Sequence, residues 1–184
     1  MRVLGVDPGL TRCGIGVIDT AKSRKVSLVF VDTIHTPADL ELSSRIRLIG
    51  EALHGAIEEY KPDAIALERV FAQQNLPSVM GVAQISGVLL FLAAQAGIPV
   101  QLHTPSEVKA AVSGSGRATK AQMGQAVARI LGLGEIPKPA DSADALAVAI
   151  ASSWRLGNVV VTDAVQTPAQ LAWAKAQRAS ATKK

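Results

Sequence analysis

Four acidic residues stand where a buried fold has no need of them. Asp7 closes the apolar run Arg2–Asp7 (RVLGVD), Glu68 follows the apolar run 64–67, and Asp141 and Asp144 lie three apart in PADSADALAVAI at 139–150. An acid that ends a buried parallel strand lies at the carboxyl-end crevice where open α/β sheets bind ligands. Two acids three apart at a helix start share one face of its first turn, so all four could form one cluster. Carboxylate oxygens are hard ligands, and a cluster with no His or Cys beside it selects Mg²⁺, with Mn²⁺ as its substitute, over zinc. Two such ions roughly 3.5–4 Å apart stabilise both the attacking and the leaving oxygen of an in-line phosphoryl displacement. Phosphodiester hydrolysis is the chemistry implied. His35, His54 and His103 are scattered and add nothing to the set.

Plainer roles compete for some of these residues. Asp141 suits a helix N-cap or the positive end of a helix dipole, and Asp7 suits an Asx turn at Pro8-Gly9. Asp144 is harder to explain so, because the apolar run 145–150 follows it and an unpaired buried charge is costly. Nothing about ending a strand requires Glu68.

The elements that must position these acids can be read from periodicity. Runs Arg2–Asp7 and 13–19 (CGIGVID) read as two buried strands joined by a tight turn at Pro8 and Gly9, and 25–34 completes an antiparallel meander. Leu42, Ile46, Ile49, Leu53, Ile57 and Tyr60 recur at steps of three and four, which predicts an amphipathic helix with its stripe on the sheet. Residues 64–67 then give a fully buried strand ending at Glu68, so strand, helix and strand make a parallel crossover.

No Asp, Glu, Lys or Arg occurs from Val70 to Ser106, and 88–94 is wholly apolar. A membrane span needs about 20 mainly apolar residues, and Gln84, Ser86, Gly87, Gln95, Gly97 and Pro99 interrupt this one. A helix over about 78–97 is expected instead, covered by the core on one face and by a second copy of the chain on the other. Residues 99–103 form the last strand, and 105–112 a short helix capped by Thr104. A flexible loop at 114–117, a helix over 119–131, a proline-bearing linker over 132–139 and a final apolar helix over 140–156 complete the reading. The fold class is α/β: a mixed five-stranded sheet, antiparallel meander plus parallel strands, with helices on both faces. It occupies 1–156 as one domain, and 157–184 is expected to be a loosely ordered basic tail.

Composition agrees with one globular domain. The chain has 184 residues, 48% hydrophobic and 18% charged, and only 3% aromatic, so its core is aliphatic. Cys13 is the one cysteine and the N-terminus runs directly into a strand pattern, so a cytoplasmic protein is expected. The net charge of +4 is uneven: 1–70 holds 9 basic against 10 acidic residues, and 71–184 holds 10 against 5. That balance permits a polyanionic partner.

Four ordered motifs carry a family resemblance: GVDPGLTRCGIGVID at 5–19, IALERVF at 65–71, SEVKAAVSGSGRATK at 106–120 and PADSADALAVAI at 139–150. The sequence resembles the bacterial RuvC-type Holliday-junction resolvases over roughly 1–156. The resemblance implies an RNase H-like fold, with Asp7, Glu68, Asp141 and Asp144 as catalytic, Mg²⁺-binding acids, two ions to a site. It implies that Phe71 stacks on a base at the opened junction and that Lys109 and Lys120 meet the DNA backbone. A core position for Phe71 and solvated positions for the lysines are the plain alternatives. Charge and position, not the resemblance, add Arg12, Arg69 and Arg117 as DNA contacts. Ser142 stands where many relatives carry alanine and should face away from the acids. The implied activity is resolution of four-way junctions in recombination and repair by paired, symmetric nicks leaving 5′-phosphate and 3′-hydroxyl ends. A homodimer and a branch-migration motor complex are the implied partners.

Three other functions remain open on the sequence. Asp7-Pro8-Gly9-Leu10-Thr11 fits the D-x-G-x-T phosphate loop of sugar-kinase and actin-like ATPases, but their site lies between two such lobes and this chain has room for one. A non-catalytic junction-binding module would keep the fold without cutting. An RNase H-like nuclease with another substrate, RNA or a hybrid, would share the acids.

Overall fold

The protein is described by a computed structural model over residues 1–21, 23–69 and 76–158. Ten elements alternate along it: β1 (Arg2–Asp7), β2 (Arg12–Thr20), β3 (Val26–His35), α1 (Leu42–Tyr60), β4 (Ala64–Glu68), α2 (Leu76–Ala96), β5 (Val100–His103), α3 (Pro105–Ser113), α4 (Lys120–Leu131) and α5 (Ala140–Asn158). Their order and type follow the expectation, with boundaries within two residues of it. Thr119, expected inside a helix, instead caps α4 through a reciprocal pair with Gln122, as Thr104 caps α3 with Glu107. Asp141 is not an N-cap; it lies in the first turn of α5. That helix runs two residues past the expected domain end at 156, and the expected tail lies outside the described residues from 159 onward.

The sheet order is β3-β2-β1-β4-β5, antiparallel across β3, β2 and β1 and parallel across β1, β4 and β5. Strand alternation sorts its side chains into two layers. Leu4, Val6, Cys13, Ile15, Val17, Ile65 and Leu67 point to one face, where Ile49, Leu53 and Ile57 of α1 and Ile85, Leu89 and Ala93 of α2 cover them. The other face carries Val3, Ile18 and Ala66 and is covered by α3, α4 and α5.

Glycine makes that second face shallow. A Cβ on Gly5 would stand 2.2 Å from the Ala145 carbonyl oxygen, and one on Gly14 would stand 2.1 Å from that of Asp141. So α5 lies directly on the backbones of β1 and β2. Asp7 shares the face of Gly5, two residues on, and Glu68 shares that of Ala66, so both acids point toward the same helix.

Val79–Ala96 in α2 is long and apolar enough to cross a membrane by composition, with a mean hydropathy of 1.8. Its Ile85, Leu89 and Ala93 are nonetheless locked in the sheet core. The core covers one face as expected, and the face expected to meet a second copy is exposed in the single chain at Met80, Leu90 and Phe91, Phe91 at 61%.

Candidate active site

Asp7 ends β1 and Glu68 ends the adjoining parallel strand β4, one residue beyond the pair Val6 and Leu67. Asp144 reaches the same point from α5 above them. Asp7, Glu68 and Asp144 line a cavity of about 250 Å³ together with Lys109 of α3 and Lys120 and Met123 of α4. Asp141, one turn earlier on α5, opens into a second cavity beside the β1–β2 loop. The four acids thus line two cavities, three on one and Asp141 on the next. Three of them, Asp7, Glu68 and Asp144, share one cavity, and Asp141 stays close enough to add to the charge that Asp7 feels.

The site is crowded with like charge. Burial pushes the Asp7 carboxyl up to about 7, helped by Asp144, Glu68 and Asp141 and opposed by Lys120. Burial also raises Glu68, again with Asp144 adding and the two lysines opposing. The two acids of α5 carry cations: Lys120 Nζ donates to Asp144 Oδ2 at 3.1 Å, and Arg12 Nε pairs with Asp141 Oδ2 at 3.2 Å. The bond to Asp144 in turn raises the Lys120 ammonium above its ordinary range. The donor set suits a hard divalent cation in chemistry, being all carboxylate, and the strained charge is what such a cation relieves. In geometry each acid of α5 is engaged by a basic residue that an ion has to replace.

The remaining expected residues divide. Lys109 and Lys120 stand at the acid cavity and Arg12 on Asp141. Arg69 follows β4 and is exposed, its backbone N–H donating to the His103 carbonyl at 2.7 Å. Arg117 is exposed in the α3–α4 loop. Neither arginine lines the acid cavity. Phe71 lies outside the described residues. Ser142 does face away, its hydroxyl buried against Thr33 Oγ1 at 2.8 Å.

One residue escaped the sequence reading. Arg45 is buried at the start of α1, with Nε 3.0 Å from Thr36 Oγ1 and Nη2 2.8 Å from Thr11 Oγ1. The signal was its register: Arg45, Ile49 and Leu53 fall four apart on the buried stripe.

A mixed sheet with acids closing two adjoining central strands, and more acids on the helix laid across them, defines an RNase H-like nuclease. Within that class the chain belongs to the RuvC family, the crossover junction endodeoxyribonucleases, whose sequence model matches residues 3–152. A crossover junction endodeoxyribonuclease RuvC of Leifsonia xyli subsp. xyli is 52% identical over 98% of this chain and 94% of its own length. The structure of Thermus thermophilus RuvC in complex with a Holliday junction substrate superposes with a TM-score of 0.81 at 32% identity, covering 86% of this chain and 96% of that one. The yeast mitochondrial Holliday junction resolvase Ydc2 shares the fold at a TM-score of 0.61, 17% identity and coverage of 84% and 79%. The chain is a metal-dependent junction endonuclease.

Proposed function

We propose that this chain resolves four-way DNA junctions by hydrolysing one phosphodiester at each of two symmetric sites, leaving 5′-phosphate and 3′-hydroxyl ends. The observation that carries the reading is the convergence of Asp7, Glu68 and Asp144 on one cavity, with Asp7 held near pH 7 in its titration by burial and by its acidic neighbours. Such a site awaits positive charge. Asp7, Glu68, Asp141 and Asp144 are the groups that would hold Mg²⁺, as two ions, with Mn²⁺ as substitute. Bound there, the metal supplies Lewis-acid stabilisation of the attacking and leaving oxygens.

The chain's own cations complete the work. Lys120 and Lys109 line the acid cavity and neutralise the phosphate that approaches the acids; Lys120 would have to release Asp144 for that carboxylate to hold a cation. Arg12, Arg69 and Arg117 meet backbone phosphates farther along, so binding weakens steeply with salt. Phe71, three residues beyond Glu68, stacks on a base exposed at the opened branch point, an interaction worth about 1–3 kcal/mol. The exposed stripe of α2 pairs two copies about a two-fold axis, which matches the approximate symmetry of a four-way junction. A branch-migration motor complex presents the junction, and the lone buried Cys13 suits the reducing cytoplasm. No membrane is involved.

The test is cleavage of a labelled four-way junction with a mobile core, against matched duplex, in Mg²⁺ or EDTA, by wild type and Asp7→Asn. Paired nicks in the junction alone, lost in EDTA and in Asp7→Asn while binding persists, are expected. Binding without cutting under every metal would mark a recognition module. Cleavage of duplex or hybrid with no junction preference would mark a nuclease of another substrate.

A further inference from the structure

We infer that the cavity beside Asp141 is a second phosphate site, in which Arg45 grips a DNA backbone phosphate other than the one that is cut. The inference rests on the junction-nuclease reading and adds a positioning residue to it. Its starting point is a charge that folding alone does not explain. Arg45 is only 9% exposed, yet among the described residues no carboxylate lies within the 4.0 Å of an ion pair with it. It is the fourth residue of α1, close to the helix's positive end, where a cation is disfavoured. A buried charge without a counter-ion is strongly unfavourable.

What surrounds Arg45 is arranged to hold it open. Its two side-chain bonds go to neutral hydroxyls, Thr36 Oγ1 and Thr11 Oγ1. Thr36 is itself fixed by donating its hydroxyl to the Leu10 carbonyl. A guanidinium has five N–H donors; two are used in these bonds, and since among the described residues no Arg45 nitrogen is both buried and unpartnered the others reach solvent at the cavity it lines. That cavity has a volume of about 390 Å³, and Gly9, Thr11, Arg12, Arg45 and Asp141 contribute to its wall. The one acid there is already paired with Arg12. A site with an unpaired arginine, a neutralised acid and a threonine hydroxyl selects an anion with several acceptor oxygens, and the planar fork of arginine matches phosphate.

Position decides between a free anion and a polymer. Asp141 stands in the wall of this cavity and Asp144 in that of the acid cavity, one turn apart on α5. A strand whose reacting phosphate enters the acid cavity carries its neighbouring phosphates past Asp141 to Arg45. The guanidinium then fixes the register of the strand relative to the acids without touching the reacting atoms.

The experiment measures junction binding in EDTA, where nothing is cut, by wild type, Arg45→Gln and Arg45→Lys. Affinity is followed against salt and against junctions bearing a single neutral methylphosphonate at successive positions around the cut. Arg45→Gln is expected to bind roughly tenfold more weakly and to lower the slope of log K against log salt by about 0.9, one phosphate contact. One methylphosphonate outside the cut position should weaken wild type but leave Arg45→Gln unaffected. A folded Arg45→Gln with the full slope and an unchanged methylphosphonate profile would overturn the inference. Should that variant not fold, Arg45→Lys carries the same cycle: the neutral linkage must harm it less than wild type, and equal harm refutes the contact. Wild type that does not prefer a junction to duplex would sink the underlying reading instead.

Discussion

At the scale of single residues, the site trades stability for charge. Asp7 is buried with three acids about it, and its carboxyl titrates near 7 in place of its ordinary 3.8. Between about pH 4 and 7 the folded protein keeps a proton that the unfolded chain has lost, so this group's contribution to stability falls as pH rises through that window. Asp7→Asn removes the dependence. In EDTA at pH 8 the variant should melt above wild type, at about 2–4 °C per kcal/mol for a chain of this size, and at pH 5, where only part of the window has been crossed, the gap should be clearly smaller. Thermal melts at both values check this, and a variant that melts below wild type at pH 8 would refute it. His103 works in the opposite sense. It is buried with Nε2 lacking any partner among the described residues, and burial, then Arg155, hold it below its ordinary 6.5 against the pull of Glu107. Above that value both states are neutral; below it only the unfolded chain takes up the proton, so stability is lost as pH falls. His103→Leu should flatten the decline in melting temperature between pH 7 and 5, and an unchanged slope would show that His103 is not its source.

At the scale of elements, the acids meet because α5 lies on bare backbone. Gly14→Ala places a methyl 2.1 Å from the Asp141 carbonyl oxygen, and neither backbone can retreat without moving the first turn of α5. Overpacking of this kind costs about 1–3 kcal/mol, and the displaced turn carries Asp141 and Asp144, so cleavage should fall well beyond what lost stability explains. Gly16→Ala, whose nearest contact is the movable Leu146 Cδ2 at 2.8 Å, should be milder in both. Denaturant melts and junction cleavage at a temperature where all three proteins are folded would compare them; equal activity in Gly14→Ala and wild type would sever the link between helix seating and the acids. This layer was largely legible in the sequence. Period-two alternation puts Asp7 on the face of Gly5, and the spacing of three puts Asp141 and Asp144 on one side of a helix, both being local rules. What the sequence hid depends on long-range partners. The ion pair that Asp141 makes with Arg12 joins residues far apart in the chain, and the burial of Arg45 follows from Thr11 and Thr36, residues 34 and 9 positions away. Neither pairing leaves a periodic trace, although Arg45 on an apolar stripe was a mark that could have been read.

At the scale of the whole molecule, one surface is unfinished. The exposed stripe of α2 carries Met80, Leu90 and Phe91, and the helix as a whole is apolar enough to pass for a membrane span. Its other side is locked in the core by Ile85, Leu89 and Ala93, so the helix cannot turn to hide the stripe. An isologous pairing buries the same residues twice and closes on itself, which leaves no further apolar face to propagate. Phe91, at 61% exposure, is the largest anchor available, and aromatic anchors dominate such interfaces. Phe91→Glu sets two like charges against each other across the axis, while in the monomer the position is open to water, so folding should be unaffected. Sedimentation equilibrium should give twice the 19.1 kDa chain mass for wild type and the single mass for the variant. Junction cleavage by the variant should lose the coupling of its two nicks, giving singly nicked junctions, because each active site would then act alone. A variant that remains dimeric would place the pairing surface elsewhere, and a monomeric variant that still cuts both strands together would show that the coupling does not come from the dimer.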